Sequence, residues 1–408
     1  MARTDRQQLY YYMSGHGLYF LAMGIQSVLF PWLLTVLLGE TADRVGIGQM
    51  LFYLPTLLLV LYGGAVADRN DCRALLLRLQ FAAALPSLLL IGLTLGGLLN
   101  FSALVLFALV TGTLSAFLTP ARDSLLTRVS GGDIQRAVNA LMMVQFGGQF
   151  LGLMLAGSAS WIGPLPLLAL QVAAMLVAVF TTWRLDPAPP QPRLLKTRQL
   201  ADVVDGLREV LRSPQIAPVV LYSFATGLLL MGLYLVVLPL LVRDVYRGGS
   251  EHLAGLNICF IVGVSVASLG LMRYGQVRRQ GRAIMLASFG SAGVVLALHL
   301  APPLPVAYLA LFVWGLAAGV SMNMGRSLVQ GSAPPSHRAR ILAAYQLGFV
   351  GGAPIGSFVV GYLVAALGLQ NAMLVPLAGV AVLWIAALLF SRLWHLEPPP
   401  AELPAGGD

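Results

Sequence analysis

Along this chain, apolar runs of about 20 residues alternate with short polar segments that hold nearly every charge. Twelve such runs are visible, at 17–38, 45–67, 74–97, 101–121, 138–160, 164–183, 215–241, 253–272, 284–301, 305–325, 341–365 and 371–391. A helix needs about 20 apolar residues to cross a hydrocarbon core roughly 30 Å thick. Membrane-spanning strands would instead be about 10 residues long and alternate polar with apolar. Open sheet edges also have no partner in lipid, so the pattern predicts twelve helices. Pro31 lies inside the first run and no small-residue cleavage site follows, which predicts a retained helix rather than a signal peptide.

The sharpest polar interruption is "YGGAVADRNDCRALLLR", residues 62–78, with five charges in 17 residues of a chain that is 10% charged. Basic residues give the topology. If the N-terminus is inside, segments 1–16, 68–78, 122–137, 184–214, 273–283, 326–340 and 392–408 carry 22 of the 25 Lys and Arg. Only Arg44, Arg243 and Arg247 fall outside. This is the positive-inside pattern, and it predicts two cytoplasmic termini; the expected location is a bacterial-type inner membrane. A composition that is 58% hydrophobic excludes a soluble globular domain, which carries about 45–50% apolar and 25% charged residues. The net charge of +9 is then a topology signal, and nucleic acid is not an expected partner.

The runs fall into two sets of six. Between them, 184–214 begins with the Pro-rich "DPAPPQPRLLKTRQL", which reads as an extended linker. It continues into "TRQLADVVDGLREVLR" (197–212), an amphipathic surface helix with Thr197 as cap and Leu200, Val203, Val204, Leu207, Val210 and Leu211 on one face. The expected organisation is a first half at 1–183, the linker, a second half at 215–391 and a tail at 392–408. A shift of 204 residues lays Arg122 on Arg326 and Arg136 on Arg340. It also lays Gly147, Gly148, Gly152 and Gly157 on Gly351, Gly352, Gly356 and Gly361. Paired halves with a site at their interface are a transporter architecture.

"GGAVADRNDCRALL" resembles the signature turn between the second and third spans of the major facilitator superfamily, Gly-x-x-x-Asp-Arg-x-Gly-Arg-Arg/Lys. Gly64, Asp68, Arg69 and Arg73 are in register, while Asp71 replaces a Gly and Cys72 an Arg. "TPARDSLLTRVSGGDIQRAVNAL" (119–141) and "GRSLVQGSAPPSHRARILAAYQLGFVGGAPIGSFVVG" (325–361) are similar to the secretion-effector branch that includes the enterobactin exporter. The resemblance implies an all-α fold of twelve helices in two pseudo-symmetric six-helix halves. It also implies a cytoplasmic gate in which Asp68 and Arg73 join Arg122 and Asp123 against residues near Arg340, with Arg326 as the repeat partner of Arg122. The second-half loop "RYGQVRRQGRA" (273–283) is basic but has no Asp. By the same resemblance, the first, fourth, seventh and tenth spans line the substrate path, helped by the fifth and eleventh. Their polar residues are Gln26, Ser27, Thr113, Gln145, Gln149, Tyr222, Thr226, Tyr234, Asn323, Tyr345 and Gln346. Each also has a plainer reading, as interhelical glue or interfacial anchor. Met23, Met142, Met143, Met154 and Met231 are candidates for an adaptable wall.

None of the sixteen acids lies mid-span, although a carboxylate there is the usual proton relay. Asp123 and Glu40 come nearest. Protons are the coupling ion that the resemblance implies. The two cysteines and five histidines (16, 252, 299, 337, 395) show no metal-ligand spacing, and Lys196 is the lone lysine, with no phosphate loop. No cofactor and no metal are expected. Gly147, Gly148, Gly152, Gly351, Gly352 and Gly356 read as helix-packing glycines, and Pro354 as a bend in the eleventh helix. The expectation is a monomeric, alternating-access exporter of amphipathic small molecules, siderophore- or drug-like, in the lipid bilayer. An importer or facilitator is the alternative; a membrane-embedded enzyme would need a catalytic cluster, which the spans lack.

Overall fold

The computed structural model describes residues 3–129, 134–188, 208–275, 277–333 and 338–397. Among these, twelve helices are long and apolar enough to cross a bilayer, and there is no strand. They are α1 (Arg3–Trp32, prolonged by a π turn, Leu33–Leu37), α2 (Ala42–Arg69), α3 (Cys72–Leu95), α4 (Phe101–Val129), α5 (Ile134–Ala156) and α6 (Pro164–Trp183). The second set is α7 (Ile216–Asp244, with a π turn at Gly227–Met231), α8 (Ser250–Tyr274), α9 (Gln280–His299), α10 (Leu304–Ser332), α11 (Arg338–Leu367) and α12 (Leu369–Phe390). Each matches one apolar run of the sequence. The largest departure is the first span, which starts at Gln7 rather than at residue 17. Residues 7–16 are polar enough to look like a loop, yet Tyr12 is buried in the core and holds that stretch helical.

Within the first set, α1 packs on α5 and α6, α2 on α4, and α3 on α4 and α6. Their core includes Tyr12, Tyr19, Leu76, Leu118, Leu125, Leu141 and Met175. A second core holds Ile216, Val219, Tyr222, Met285, Leu328, Ile341 and Tyr345. Glycine decides how near two of these helices come. A Cβ on Gly152 (α5) would lie 2.2 Å from the Leu21 carbonyl oxygen of α1. On Gly356 (α11) it would lie 2.0 Å from that of Leu228 in α7. The same backbone-on-backbone contact is thus made twice, at positions 204 residues apart, and Gly148 and Gly352 extend it by one turn. Gly147 does not belong to it. One position from Gly148 is about 100° around the helix, and a Cβ there meets nothing within 4 Å. Gly351 is buried, and Pro354 sits buried inside an uninterrupted α11.

The described residues divide into two compact units that do not follow the linker. One comprises 1–199, 234–258 and 357–369; the other comprises 200–233, 259–356 and 370–408. The first thus includes one end of α7, the start of α8 and one end of α11. Of the amphipathic linker helix, only 208–212 is described, and it is helical; 189–207 and the tail beyond 397 lie outside the described residues.

Candidate functional site

The signature turn is built to hold its own half together. Asp71 caps α3, its Oδ1 accepting from the Ala74 amide at 2.9 Å. Its Oδ2 accepts from the Ala188 amide at 3.0 Å, and the Cys72 amide donates back to the Ala188 carbonyl at 3.1 Å. The Asp71 departure from the signature therefore fastens the start of the linker to α3, and the backbone amide of Cys72 adds to it. Arg73 donates to the Thr182 and Trp183 carbonyls at the C-terminal end of α6, where a cation is favoured by the exposed carbonyls. This corrects the expected grouping of Arg73 with Arg122 and Asp123. Its partners are on α6 because the last carbonyls of that helix lie within its reach, the Thr182 carbonyl also accepting from the Leu185 amide at 3.1 Å. Gly64 and Asp68 are half-buried, and Arg69 and Arg326 are exposed. The side chains of Arg136 and Arg340 lie outside the described ones.

Arg122 is 4% exposed, with its guanidinium carbon 3.5 Å from the centre of the Tyr19 ring. A desolvated cation over a ring is stabilised by about 2 kcal/mol. The Tyr12 hydroxyl donates to the Arg122 carbonyl at 2.9 Å, joining α1 to α4. Beside it lies His16, 5% exposed and inside the first span. Tyr12, His16 and Phe20 recur every fourth residue on one face of α1, with ring centres 6.0 and 4.8 Å apart. Neither ring nitrogen of His16 has a hydrogen-bond partner of normal geometry, nor does Arg122 Nη2. Gln145 approaches His16 from α5, and Asp123 follows Arg122 at an exposed position. Sequence reasoning missed His16, because residues 1–16 read as a loop. The signal was the i, i+4 aromatic face.

A pocket of about 30 Å³, counted as space for the centre of a water molecule, lies in the first half. It is lined by Tyr19, Gln26, Ser87, Thr111, Ser115 and Gln171, among others. Ser87 donates to Gln171 Oε1 at 3.2 Å, and Gln171 donates to Gln26 Oε1 at 3.0 Å and to the Ala22 carbonyl at 3.2 Å. Thr111 Oγ1 has no partner. Of the expected path residues, Gln26 is thus tied inside the bundle. Tyr222 is buried against the Ser288 hydroxyl, and Thr226 bonds its own helix. The Tyr234 hydroxyl donates to Asn257 Oδ1 at 2.6 Å, and Tyr345 is buried over Gly325. Thr113 bonds the Leu109 carbonyl. Ser27, Asn323 and Gln346 are exposed, and Gln145 and Gln149 half-buried.

At the other end of the helices, where the 38–41 turn lies, contacts join the two sequence halves. Arg243 Nη1 donates to the carbonyls of Glu40 at 2.7 Å and Thr35 at 3.3 Å, where the π turn ends α1. Its Nε and Nη2 grip Asp244. Ser160 and Ser250 exchange amide–hydroxyl hydrogen bonds, and the Ser250 hydroxyl donates to the Gly157 carbonyl at 2.9 Å. A Cβ on Gly46 of α2 would lie 2.6 Å from the Ser357 carbonyl oxygen of α11. Glu40, considered as a relay, pairs with Arg44 at 2.9 Å.

The model of the family described as transmembrane secretion effector matches residues 19–400. The chain belongs to that family. It is a transporter-type protein of the major facilitator superfamily, as its sequence motifs implied. It is similar to the multidrug efflux pump Tap of Mycolicibacterium fortuitum, 26% identical over 396 residues, covering 92% of this chain and 93% of that protein. Among solved structures, it resembles the nucleoside transporter NupG. That match has a TM-score of 0.76 and 14% identity and covers 95% and 98% of the two chains. A bacterial homologue of the human lysosomal transporter Spinster, inward-facing and unoccupied, matches with a TM-score of 0.71 and 14% identity over 97% and 98%. At such identities these structures establish the fold alone. Among the described residues no three His, Cys, Asp or Glu gather as metal ligands.

Proposed function

We propose that this secretion effector is a secondary transporter that exports amphipathic small molecules across a bacterial inner membrane by alternating access. The observation that supports this best is the clasp at the 38–41 end, made of Arg243, the Ser160–Ser250 pair and the Gly46 contact. Its polar parts are a few hydrogen bonds, worth about 1 kcal/mol net between neutral groups and about 1.5–3 kcal/mol where Arg243 donates, so a transport cycle can open it. Alternating access requires one face closed at a time by bonds that thermal motion can break. In this reading both termini are cytoplasmic and the clasp faces outward. The halves 1–183 and 215–391 rock as bodies, and Asp68 with Arg69 helps close the opposite face. The similarity to an efflux pump supports export, and the shortage of charged residues along the helices suits amphipathic cargo better than sugars or ions.

The test is accumulation of ethidium, as a fluorescent amphipathic cation, in a host stripped of its own efflux pumps. Expression should lower ethidium at steady state, and dissipating the proton gradient should restore it. Higher accumulation on expression favours an importer.

A further inference from the structure

We propose that the π turn of α7 holds one residue more than the matching stretch of α1, and that this extra residue gives α7 a hinge at mid-span. This inference rests on the alternating-access reading. The turn lies at Gly227–Met231, with 11 residues of regular helix before it and 13 after. The π turn of α1 lies elsewhere, at Leu33–Leu37, just past Pro31.

The glycine contacts reveal the extra residue. Gly148 and Gly152 of α5 fall on Gly352 and Gly356 of α11 at a constant offset of 204. A Cβ on Gly148 would meet the Gly17 carbonyl oxygen at 2.5 Å, and one on Gly352 that of Phe224 at 2.7 Å, an offset of 207. On Gly152 and Gly356 it would meet those of Leu21 and Leu228, again an offset of 207. The same two Cβ atoms would also approach the Cα atoms of Gly24 and Gly232, at 2.9 and 3.1 Å, and there the offset is 208. The residue types agree. Met23, Gly24 and Pro31 match Met231, Gly232 and Pro239 at an offset of 208, and Leu-Ala-Met-Gly at 21–24 stands against Leu-Leu-Leu-Met-Gly at 228–232. A π turn spaces its hydrogen bonds by five residues instead of four. It therefore takes in one residue while the helix on either side keeps its face toward α11.

Further observations make the turn a hinge. The two compact units divide α7 between Leu233 and Tyr234, immediately beyond the turn. Each arm of the helix is held on its own side of that division. The Tyr222 hydroxyl bonds Ser288 in the second unit, while the Tyr234 hydroxyl donates to Asn257 and Arg243 donates to the Glu40 carbonyl in the first. The turn between the arms is packed against glycine. Gly352 and Gly356 lie on its backbone, and a Cβ on Gly379 of α12 would lie 2.8 Å from Leu229 Cδ2. Glycine at these contacts offers no side chain to interlock and resist a change of angle, and π turns and glycines are sites where helices kink. The Thr226 hydroxyl donates to the Tyr222 and Ser223 carbonyls at 2.9 and 3.0 Å. Such back-bonds bend helices and supply a donor in the hydrocarbon core. The division crosses α11 just after Gly356, close to Pro354, which has no amide to give the helix. As the halves rock, the arm with Arg243 stays with the clasp while the arm with Tyr222 swings, and α7 bends at the turn.

The test compares two deletions in the full chain. Deleting Leu229 leaves Leu-Leu-Met-Gly, the spacing of α1, so the protein should reach the membrane and keep a wild-type size-exclusion profile. It should also unfold at a higher temperature than wild type, since a regular helix replaces the wide turn. Deleting Ala22, which α1 cannot spare, should abolish membrane expression. In cells loaded with ethidium, efflux should fall at least tenfold in the Leu229 deletion at matched expression. Leu229→Ala, which keeps the residue count, should stay near wild type. Loss of expression in the Leu229 deletion as complete as in the Ala22 deletion overturns the extra residue. A folded Leu229 deletion with undiminished efflux overturns the hinge. If the wild type exports no ethidium, it is the export reading that fails, and the expression and unfolding temperature of the two deletions still decide the turn.

Discussion

Ser160 and Ser250 hold each other by two crossed hydrogen bonds, each amide donating to the other's hydroxyl at 2.7 and 2.8 Å. Ser250 is fully buried, and its hydroxyl also satisfies the Gly157 carbonyl at the end of α5. Leaving such groups unsatisfied costs about 1–3 kcal/mol, so Ser250→Ala should open this face more often. In a background with Cys72 and Cys259 replaced by alanine, a cysteine at Ala254, which is 3% exposed, should be labelled about tenfold faster by an impermeant maleimide. Conversely, the hydroxyl oxygens lie 3.0 Å apart, so a cysteine pair at 160 and 250 should form a disulfide that stops transport until it is reduced. Oxidised protein that still transports would remove this pair from the gate.

Arg243 makes its contacts as a fork, with one arm on the Glu40 and Thr35 carbonyls and the other on Asp244. An ammonium cannot reproduce that geometry. Arg243→Lys should therefore behave nearly as badly as Arg243→Ala, each raising labelling at position 254 by tens-fold, since bonds to a charged group are worth about 1.5–3 kcal/mol. A lysine variant indistinguishable from wild type would mean that charge alone suffices.

The glycines sort by what a methyl group would strike. Gly152→Ala and Gly356→Ala should each abolish membrane expression or leave an aggregate on size exclusion, because their Cβ atoms would meet backbone oxygen at 2.2 and 2.0 Å. Gly147→Ala should be neutral or stabilising by about 0.5–1 kcal/mol, since it meets open space and removes a flexible residue from a helix. Expression levels and thermal unfolding of the three variants check this ordering.

Asp71→Gly restores the residue found in the family signature yet removes the α3 cap and the Ala188 bond together. A lost cap costs about 0.5–2 kcal/mol, so this reversion should lower the unfolding temperature. Asp71→Asn should lower it less, since its side-chain oxygen can still accept from Ala74. A glycine variant as stable as the wild type would count against the fastening.

The sequence made the spans legible because the bilayer imposes one long period on composition, and even the recurring Gly152 and Gly356 contacts announced themselves at a fixed shift. It did not separate Gly147 from Gly148, because the side of a helix that faces a neighbour depends on a packing partner far away in the chain. Nor did it find His16. The run YYYMSGH is too polar to be scored as membrane, and only the burial of Tyr12 and Tyr19 reveals that the helix continues. Arg73 was legible as a cation at the turn, but its capture by α6 was not, since that depends on where α6 ends in space. The polar residues of the expected path divided for the same reason. Tyr222 and Gln26 found partners within their bundles, while Ser27 and Gln346 remained exposed.

The bond between Asp71 and Ala188 pins the chain to the first bundle at the point where the connector leaves it. Packing of the first bundle therefore ends at that bond, and the covalent link beyond it contributes proximity: it keeps the second bundle at a high effective concentration beside the first. Chains severed after residue 188 and expressed together should accordingly reassemble in proportion to their density in the membrane.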